Sequence, residues 1–330
     1  MTISAPAAQD AFGRRFRYLR LSVTEICNFR CTYCLPNGYL KSGARSFLTP
    51  LEAGRLITAF SELGLSKVRL TGGEPSVRKD LTEIIAQAAS RPHINKVAIT
   101  TNGWNLAKSI NDWSAAGLTH LNVSIDALRR EAFAAITGHD RLEAVLAGLE
   151  RAETCGLDAI KINAVLLRDG LESDFSDWTE FVRDREVAVR FIELMRTGDN
   201  QAFFEAQHVR AEVLRDWLLE RGWTPRARGI DDGPAIEFTH PDHRGRIGLI
   251  APYAPGFCDG CNRLRVTATG GLRLCLFGQG ARDLRPYLCG DDQIEALKAE
   301  ILDALMAKPI AHQLHSGNSG RTLNLAQTGG

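Results

Sequence analysis

Two cysteine trios are the residues whose type and spacing point most directly to chemistry. The trios are Cys27, Cys31 and Cys34, spaced C-x3-C-x2-C, and Cys258, Cys261 and Cys275 near the other end. Thiolates are the soft ligands that iron–sulfur clusters need, and a cubane cluster normally takes four of them. Each trio supplies only three, so one iron of each cluster would stay open, and an open metal position is where chemistry occurs. The spacing therefore predicts an enzyme with two [4Fe-4S] clusters.

A zinc ion is the alternative occupant of either trio. Structural zinc takes four ligands, and no histidine precedes His93, so zinc is disfavoured at the N-terminal trio. His240, His243 and Cys289 lie within reach of the C-terminal trio in sequence, and zinc stays open there. A disulfide framework is not expected in a long chain without a secretory signal. Cys155, inside an amphipathic run, is expected to pack as a small hydrophobe.

Composition and charge exclude several classes of protein. The 330 residues are 44% hydrophobic, enough for a large core, and the net charge is +1. A near-neutral chain is not expected to bind nucleic acid or a membrane through its overall charge. No apolar stretch approaches the roughly 18 residues of a membrane span. Cysteines in metal-type spacings fit a reducing compartment, so we expect a cytoplasmic protein.

Short β-branched apolar runs alternate with amphipathic runs through the first two-thirds of the chain. The predicted strands are Tyr18–Val23, Lys67–Leu70, Lys96–Thr100, His120–Ser124, Ala159–Leu166 and Ala188–Glu193. The predicted helices are one from the capping box at Thr49 to Gly64, then Leu81–Ser90, Leu106–Ala116, Arg129–Thr137, Leu142–Cys155 and Phe175–Arg185. Six β-then-α units with right-handed crossovers predict an α/β fold, an incomplete (β/α)6 TIM-like barrel open on one side.

The regular alternation of strands and helices stops after Gly198, where a smaller α+β region is predicted. Its elements are a helix at Ala211–Arg221, strands at Ala235–Phe238, Ile247–Ile250, Val266–Ala268 and Leu272–Leu274, and a helix at Gln293–Met306. The polar, glycine-rich end from His312 has the composition of a disordered tail. We divide the chain into a mobile segment (1–13), the barrel (14–200) and a C-terminal region (201–330). The last region carries the second trio and is expected to close the open side.

Polar residues and glycines follow the predicted strands. In parallel βα folds the catalytic and binding residues lie at these carboxyl ends of the strands. Gly72, Gly73 and Glu74 follow the second strand, where paired glycines allow close backbone approach and Glu74 offers a carboxylate to an ammonium group. Thr100 ends the third strand and Ser124 the fourth. Each alone is more often a turn or cap residue, but their shared position favours a site.

Basic residues lie inside otherwise apolar strands. They are Arg20, Arg69, Lys161 and Arg190, with Arg263 and Arg265 just after Cys261. A buried cation is costly unless it is paired, so each could face a carboxylate such as Glu193 or Glu74. Taken together they predict a pocket for a polyanion such as a nucleoside triphosphate, because guanidinium groups match phosphate oxygens.

These motifs resemble the GTP 3′,8-cyclase family of the radical S-adenosylmethionine (SAM) superfamily. The matching segments are Arg20-Leu-Ser-Val-Thr-Glu-Ile-Cys-Asn-Phe-Arg-Cys-Thr-Tyr-Cys, Arg69-Leu-Thr-Gly-Gly-Glu-Pro, Asn122-Val-Ser-Ile-Asp, Arg190-Phe-Ile-Glu-Leu-Met, Phe257-Cys-x2-Cys-Asn-Arg-Leu-Arg and the final Gly329-Gly330. The resemblance runs from Arg14 to the terminus. The second trio and the double glycine are its family-specific parts.

The resemblance implies a role for each matched residue. Cys27, Cys31 and Cys34 would hold a cluster whose open iron chelates SAM, and Tyr33, Gly73, Ser124 and Met195 would contact SAM. Cys258, Cys261 and Cys275 would hold the auxiliary cluster, facing the guanine end of GTP. The GTP site would comprise Arg20, Arg69, Thr100, Lys161, Arg190, Arg263, Leu264 and Arg265. Gly329, Gly330, Arg263 and Arg265 would be catalytic.

The implied reaction begins with one-electron cleavage of SAM to a 5′-deoxyadenosyl radical, which abstracts hydrogen from C3′ of GTP before C3′ bonds to C8 of guanine. The implied partners are a flavodoxin- or ferredoxin-type electron donor, cyclic pyranopterin monophosphate synthase downstream, and a second copy of the chain in a homodimer. Two alternatives remain: a radical SAM peptide maturase with an auxiliary cluster, and a non-catalytic iron–sulfur or zinc regulator. Arg190 and Met195 are an odd number of positions apart, so their strand must end or bend between them if both face the pocket.

Overall fold

One continuous sheet organises the molecule. A computed structural model describes residues 7–40, 46–169, 171–227, 229 and 233–326. The strands are β1 (Tyr18–Thr24), β2 (Lys67–Gly72), β3 (Lys96–Thr101), β4 (His120–Ser124), β5 (Ala159–Leu166), β6 (Ala188–Glu193), β7 (Thr224–Pro225), β8 (Ile236–Thr239), β9 (Arg246–Ile250), β10 (Arg263–Val266), β11 (Gly271–Arg273) and β12 (Arg282–Asp283). They join in the order β12-β11-β10-β1-β2-β3-β4-β5-β6-β9-β8-β7.

Helices cover the outer face of this sheet. They are α1 (Pro50–Glu62), α2 (Leu81–Ala89), α3 (Leu106–Ala115), α4 (Arg130–Thr137), α5 (Leu142–Glu153), α6 (Leu171–Phe181), α7 (Gln201–Gln207), α8 (Ala211–Glu220) and α9 (Ile294–Met306). The predicted capping box starts α1, since Thr49 Oγ1 accepts from the Glu52 N–H at 3.2 Å and the Glu52 carboxylate accepts from the Thr49 N–H at 2.8 Å. The apolar face of α1 then packs Leu56, Ile57 and Phe60 into the core.

The six central strands pair in parallel, and the C-terminal region extends both edges. β10 pairs in parallel with β1, and β9 pairs in parallel with β6. Antiparallel hairpins finish each side, β10-β11-β12 on one and β9-β8-β7 on the other. The predicted α/β class with a parallel, barrel-like sheet is confirmed. The division into three regions stays a prediction, since a single sheet runs through the second and third of them.

Several boundaries differ from the sequence prediction for tertiary reasons. The strand predicted at Val266–Ala268 begins at Arg263, because β1 provides a parallel edge in the register Tyr18↔Arg263 and Arg20↔Arg265. The helix predicted from Phe175 begins at Leu171, and α7 was not predicted. Local propensity is a weak guide where pairing with a distant segment decides the outcome.

Both ends of the described chain are packed against the barrel. Ala8 is buried and its N–H donates to the Leu63 carbonyl at 3.0 Å, so residues 8–10 belong to the folded unit although 1–13 was predicted to be mobile. In the polar tail, Leu314 and Thr322 are buried, which composition alone did not predict. In the described part of the chain, no helix has both the length and the apolarity to cross a bilayer.

The core face of α1 gives a test of the packing. Phe60 is fully buried, while Leu51 on the same helix is 56% exposed. We expect Phe60→Ala to lower the free energy of unfolding by about 3–5 kcal/mol, because it leaves a cavity against the sheet. Leu51→Ala should change it by less than about 0.5 kcal/mol. Urea unfolding followed by circular dichroism measures both, and equal effects would contradict this packing.

Candidate functional site

The N-terminal trio lies in a cleft at the carboxyl ends of the parallel strands. The cleft encloses about 980 Å³ of open space. All the residues predicted to contact SAM line it together with the trio: Cys27, Cys31, Cys34, Tyr33, Gly73, Ser124 and Met195. Thr100, predicted for the substrate site, lines the same cleft. The structure therefore brings these side chains together, while their individual roles stay predictions.

Buried contacts hold the cysteine loop in place. Phe29, in the middle of the loop, is buried with its ring 5.6 Å from that of Trp104 and 6.0 Å from that of Phe133. The Tyr33 hydroxyl donates to the Asp126 carboxylate at 2.9 Å, and the Asn200 side-chain amide donates to the carbonyls of Tyr33 and Met195. The loop is thus tied both to the core and to the segment that follows β6.

The three thiols fit a thiolate-ligated cluster. They form no disulfide. Burial raises the pKa of Cys27 to about 11, and the charge of Glu74 adds to the rise. Burial raises the pKa of Cys34 to about 12, and the charges of Cys27 and Asp126 add to it. Burial and the charges of Asp126, Cys34 and Cys27 raise the pKa of Cys31 as well. Three closely placed thiols in a buried cleft need a cation to become thiolates, and a cluster's iron ions supply that charge.

Gly73 and Glu74 join the end of β2 to this loop. A Cβ atom on Gly73 would lie 2.3 Å from the Ile26 carbonyl oxygen, so only glycine allows this approach. The Glu74 carboxylate is buried and accepts from the Ser76 N–H at 2.9 Å, the Thr101 hydroxyl at 2.7 Å and the Asn102 N–H at 2.6 Å. That Glu74 offers its carboxylate to an ammonium group stays a prediction. Its carboxylate holds neighbouring strand ends together and does not line the cleft.

The second trio lines a separate cavity of about 1090 Å³ that is strongly cationic. Its basic residues are Arg20, Lys67, Arg69, Lys161, Arg190, Arg263, Arg265 and Lys308. No aspartate or glutamate of the described chain lines it. Lys67 and Lys308 were missed from sequence, although Lys67 alternates with Arg69 on β2 and so shares its face.

Tyr18 lies among these cations. Its hydroxyl accepts a hydrogen bond from Arg69 Nε, and Arg69 Nη1 donates to Thr100 Oγ1 at 2.9 Å. Burial opposes ionisation of the phenol, but the charges of Arg69, Arg20 and Lys67 outweigh it and lower the pKa of Tyr18 to about 6. The surrounding protein therefore favours an anion at this point.

Burial also shifts the basic residues themselves. It lowers the pKa of Lys67 and Lys161 to about 8 and that of Arg20 and Arg190 to about 10. Lys161 pairs with Glu237 at 3.7 Å, outside the cavity lining and not with Glu193 or Glu74. Arg190 donates to the Asn163 side chain at 2.8 Å. This arrangement favours a polyanionic ligand that stabilises the charged forms.

The two cavities share a wall made of Asn163, Ile192 and Met195. β6 ends at Glu193, between Arg190 and Met195, so both of these face the site as their spacing required. A group bound in the first cavity can therefore lie next to a group bound in the second, as transfer of a hydrogen atom between them demands.

One predicted site residue falls elsewhere, and two lie outside the described residues. Leu264 is fully buried in the hydrophobic core and does not line the cationic cavity, because side chains alternate along β10 and Arg263 and Arg265 take the inner face. Gly329 and Gly330 lie outside the described residues. Leu325 and Ala326, just before them, line the cleft of the N-terminal trio.

The candidate zinc ligands are not near the second trio. His240 and His243 contact each other through their Nδ1 atoms at 3.1 Å and pack against Trp223. Neither they nor Cys289 line the cavity that the trio lines. Across residues 7–326, apart from the short undescribed gaps, no three His, Cys, Asp or Glu side chains stand close enough to bind a single metal ion. This includes both trios, in which each thiol would hold a different iron of a cluster.

Comparison with known proteins identifies the class. The model of the radical SAM superfamily matches residues 21–182, and the model described as Molybdenum Cofactor Synthesis C matches residues 187–314. A crystal structure of Streptococcus suis SuiB bound to S-adenosylmethionine aligns with a TM-score of 0.64 at 14% identity, covering 89% of this chain and 66% of that chain. At that identity the likeness supports the fold alone. The fold, the site and the two models together define a radical SAM protein.

Relatives of similar length identify the particular family. The GTP 3′,8-cyclase of Stenotrophomonas maltophilia (strain R551-3) is 58% identical over 97% of this chain and 98% of its own length. That of Klebsiella pneumoniae subsp. pneumoniae is 51% identical, again over 97% and 98%. That of Vibrio atlanticus is 47% identical over 98% and 97%. The chain therefore belongs to the GTP 3′,8-cyclase family, and the resemblance seen in the sequence is confirmed.

Glu74 provides a test of how the strand ends are held. In Glu74→Gln an amide N–H₂ replaces one carboxylate oxygen, so either the Asn102 N–H loses its acceptor or the Ser76 N–H and the Thr101 hydroxyl lose theirs. We expect the free energy of unfolding to fall by about 1–3 kcal/mol. Glu83→Gln, on the exposed face of α2, is the matched control and should have little effect. Chemical denaturation measures the free energy of unfolding of both variants. An unchanged value in Glu74→Gln would contradict the proposed hydrogen-bond network.

Proposed function

We propose that this chain is a radical SAM GTP 3′,8-cyclase that converts GTP to (8S)-3′,8-cyclo-7,8-dihydro-GTP, the first step of molybdenum cofactor biosynthesis. The observation that carries the proposal is the pair of cavities. One is lined by three thiols, the other is lined by eight basic residues and a second thiol trio, and they share a wall. Family membership supplies the particular reaction.

The cofactors of this reaction are two [4Fe-4S] clusters and SAM. We assign Cys27, Cys31 and Cys34 to the first cluster, and Cys258, Cys261 and Cys275 to the second. When bound, the first cluster supplies the electron that cleaves SAM to the 5′-deoxyadenosyl radical. Tyr33, Gly73, Ser124 and Met195 hold SAM in the cleft, where the buried walls exclude water and protect the radical.

The chain orients GTP by anchoring it at two ends. The basic residues bind the triphosphate, and the second trio faces the purine. Arg69 and Arg190 are buried and already hydrogen-bonded to Thr100 and Asn163, so their guanidinium groups are preorganised. Such preorganisation lowers the entropic cost of placing C3′ beside the shared wall. We keep Arg263 and Arg265 as catalytic candidates, together with Gly329 and Gly330, which would enter the pocket from the tail.

A peptide maturase is the second candidate, since SuiB, a structure of similar fold, has also been solved bound to its precursor peptide SuiA. The cavity does not favour it. Eight cationic residues and no carboxylate in the described lining match a triphosphate better than a peptide. A non-catalytic regulator is disfavoured, because it would not need a preorganised cationic cavity next to the cluster cleft.

We also propose the finer partners and location implied by the resemblance. They are a low-potential flavodoxin- or ferredoxin-type electron donor, cyclic pyranopterin monophosphate synthase as the next enzyme, a homodimer, and the cytoplasm. Iron–sulfur clusters with open irons require a reducing compartment, which supports the last of these. The others rest on family membership alone.

Product analysis tests the function directly. Protein reconstituted anaerobically with iron and sulfide should form 5′-deoxyadenosine and an isomer of GTP when given SAM, reductant and GTP, but no such isomer with ATP.

Arg265→Ala should keep both clusters and lower cyclisation about a hundredfold, because a buried charged contact to the substrate is lost. Arg282→Ala, on an exposed arginine, is the control.

Mass spectrometry and iron counting give the readouts. Deoxyadenosine without a nucleotide product would move the assignment to the peptide maturase. No deoxyadenosine from protein with both clusters filled would rule out the radical reaction. Unchanged product yield in Arg265→Ala would contradict the assigned triphosphate site.

GTP binding should take up protons near pH 8. Lys67 and Lys161, with pKa values of about 8, are partly neutral there, and bound phosphate raises those pKa values towards the usual lysine range. Reprotonation of Tyr18 beside the triphosphate would also take up a proton. We expect uptake of about one proton per GTP at pH 8 and weaker binding as the pH rises from 7 to 9. Calorimetry in two buffers of different ionisation enthalpy measures this, and a buffer-independent heat would contradict it.

A further inference from the structure

Two carboxamide side chains, Asn122 and Asn163, belong to the described lining of the otherwise cationic cavity. Asn163 also lines the cleft of the N-terminal trio, as part of the wall that the two cavities share. Ser124 follows Asn122 by two positions on β4, so it has the same face of the strand, and it lines that cleft as well. Asn122 therefore lies next to the boundary between the two cavities.

Hydrogen bonds fix the orientation of both amides. Arg190 Nη2 donates to Asn163 Oδ1 at 2.8 Å, and because an arginine can only donate, the Asn163 atom that faces it must be the oxygen. Asn122 Nδ2 donates to the same oxygen at 3.5 Å. The amide nitrogen of Asn122 thus faces Asn163, and Asn122 Oδ1 takes no part in this contact.

Asn122 Oδ1 is a buried acceptor without a partner among the described residues. Asn122 is 2% exposed, and its Oδ1 accepts no hydrogen bond from the described part of the chain. Buried polar atoms of native proteins almost always have a partner, because an unpaired one has lost its hydrogen bonds to water without replacement. An acceptor of this kind in the lining of a binding cavity indicates a ligand that donates to it.

The chemistry of a nucleotide limits which of its groups can be that donor. Phosphate oxygens accept hydrogen bonds, so they suit the basic residues of the cavity and not an amide oxygen. The donors of GTP are its ribose hydroxyls and the N–H groups of guanine. The hydrogen removed in the proposed reaction comes from the ribose, so the ribose must lie at the wall shared with the cleft, and Asn122 is found beside that wall.

We propose that Asn122 binds the ribose of GTP, with Oδ1 accepting a hydrogen bond from the 2′- or the 3′-hydroxyl. This contact limits rotation of the sugar between the triphosphate and the purine, and so helps to direct the C3′ hydrogen towards the cleft. Asn163 is then a positioning residue, because it holds the Asn122 amide in the orientation that leaves Oδ1 for the substrate. The inference rests on the proposed function, since it requires the nucleotide in the cationic cavity.

Analogues that lack one hydroxyl test the contact in the unaltered protein. Anaerobic equilibrium dialysis compares GTP with 2′-deoxy-GTP and 3′-deoxy-GTP, using full-length protein that holds both clusters and no SAM. One of the two analogues should bind at least about tenfold more weakly than GTP, because it leaves Asn122 Oδ1 buried and unpaired. Equal dissociation constants for all three nucleotides would overturn the proposal.

Asn122→Ala tests whether this preference belongs to Asn122. Its dissociation constant for GTP should rise about tenfold, whereas that for the weaker analogue should stay near the wild-type value, so the preference for GTP disappears. Asn95→Ala, at an exposed position, is the matched control and should keep the wild-type preference. Circular dichroism and iron content establish that each variant is folded and loaded. A ribose preference that persists in Asn122→Ala would count against the proposal.

Inosine triphosphate separates a ribose contact from a purine contact, because it lacks the amino group of guanine but keeps both ribose hydroxyls. If Asn122→Ala removes a preference for GTP over inosine triphosphate and leaves the ribose preference intact, Oδ1 meets the purine and the proposal is overturned. A wild-type protein that binds no GTP removes the proposed function together with this inference. A wild-type protein that cyclises GTP, with a ribose preference unaltered by Asn122→Ala, removes the inference alone.

Discussion

Positive charge buried in the barrel is the constraint on which the rest of the site depends. Arg69, Arg190 and Arg265 are each less than 10% exposed, and no carboxylate in the described lining faces them within the cavity. Removing cations from water is costly, and proteins accept that cost where a ligand recovers it. Hydrogen bonds hold two of these guanidinium groups in place in the free protein. Arg69 donates to the Tyr18 phenol and the Thr100 hydroxyl, and Arg190 donates to the Asn163 side chain. The cavity of the free protein is thus strongly cationic, as the proposed triphosphate site requires.

The sheet topology explains how this charge meets the cluster cleft. β10 pairs with β1 so that Arg265 lies beside Arg20, and Cys261, two residues before β10 begins, lies at the Tyr18 end of this strand pair. On the other side, β6 ends at Glu193 and leaves Met195 to face both cavities. Residues far apart in the chain therefore share one wall because strands from both regions form a single sheet.

Much of this could be predicted from the sequence, and the exceptions have physical causes. Cysteine spacing and strand periodicity are local signals, so the trio, the six central strands and the inward-facing Arg69 and Lys161 were predictable. Lys67 was available from the same alternation but was missed. The start of β10 was not predictable, because a distant partner, β1, decides it. The burial of Thr322 depends on Arg273, which composition cannot reveal. The hydrogen bonds of Glu74 were not predictable, because its motif does not indicate which groups will donate to its oxygens.

The pairing of β1 with β10 also governs how the molecule forms. β1 begins at Tyr18 and its outer partner begins at Arg263, so most of the chain must leave the ribosome before that edge is covered. Contacts of such long sequence separation form slowly, and an open strand edge invites pairing with other chains. We expect nascent chains to depend on chaperones during this interval.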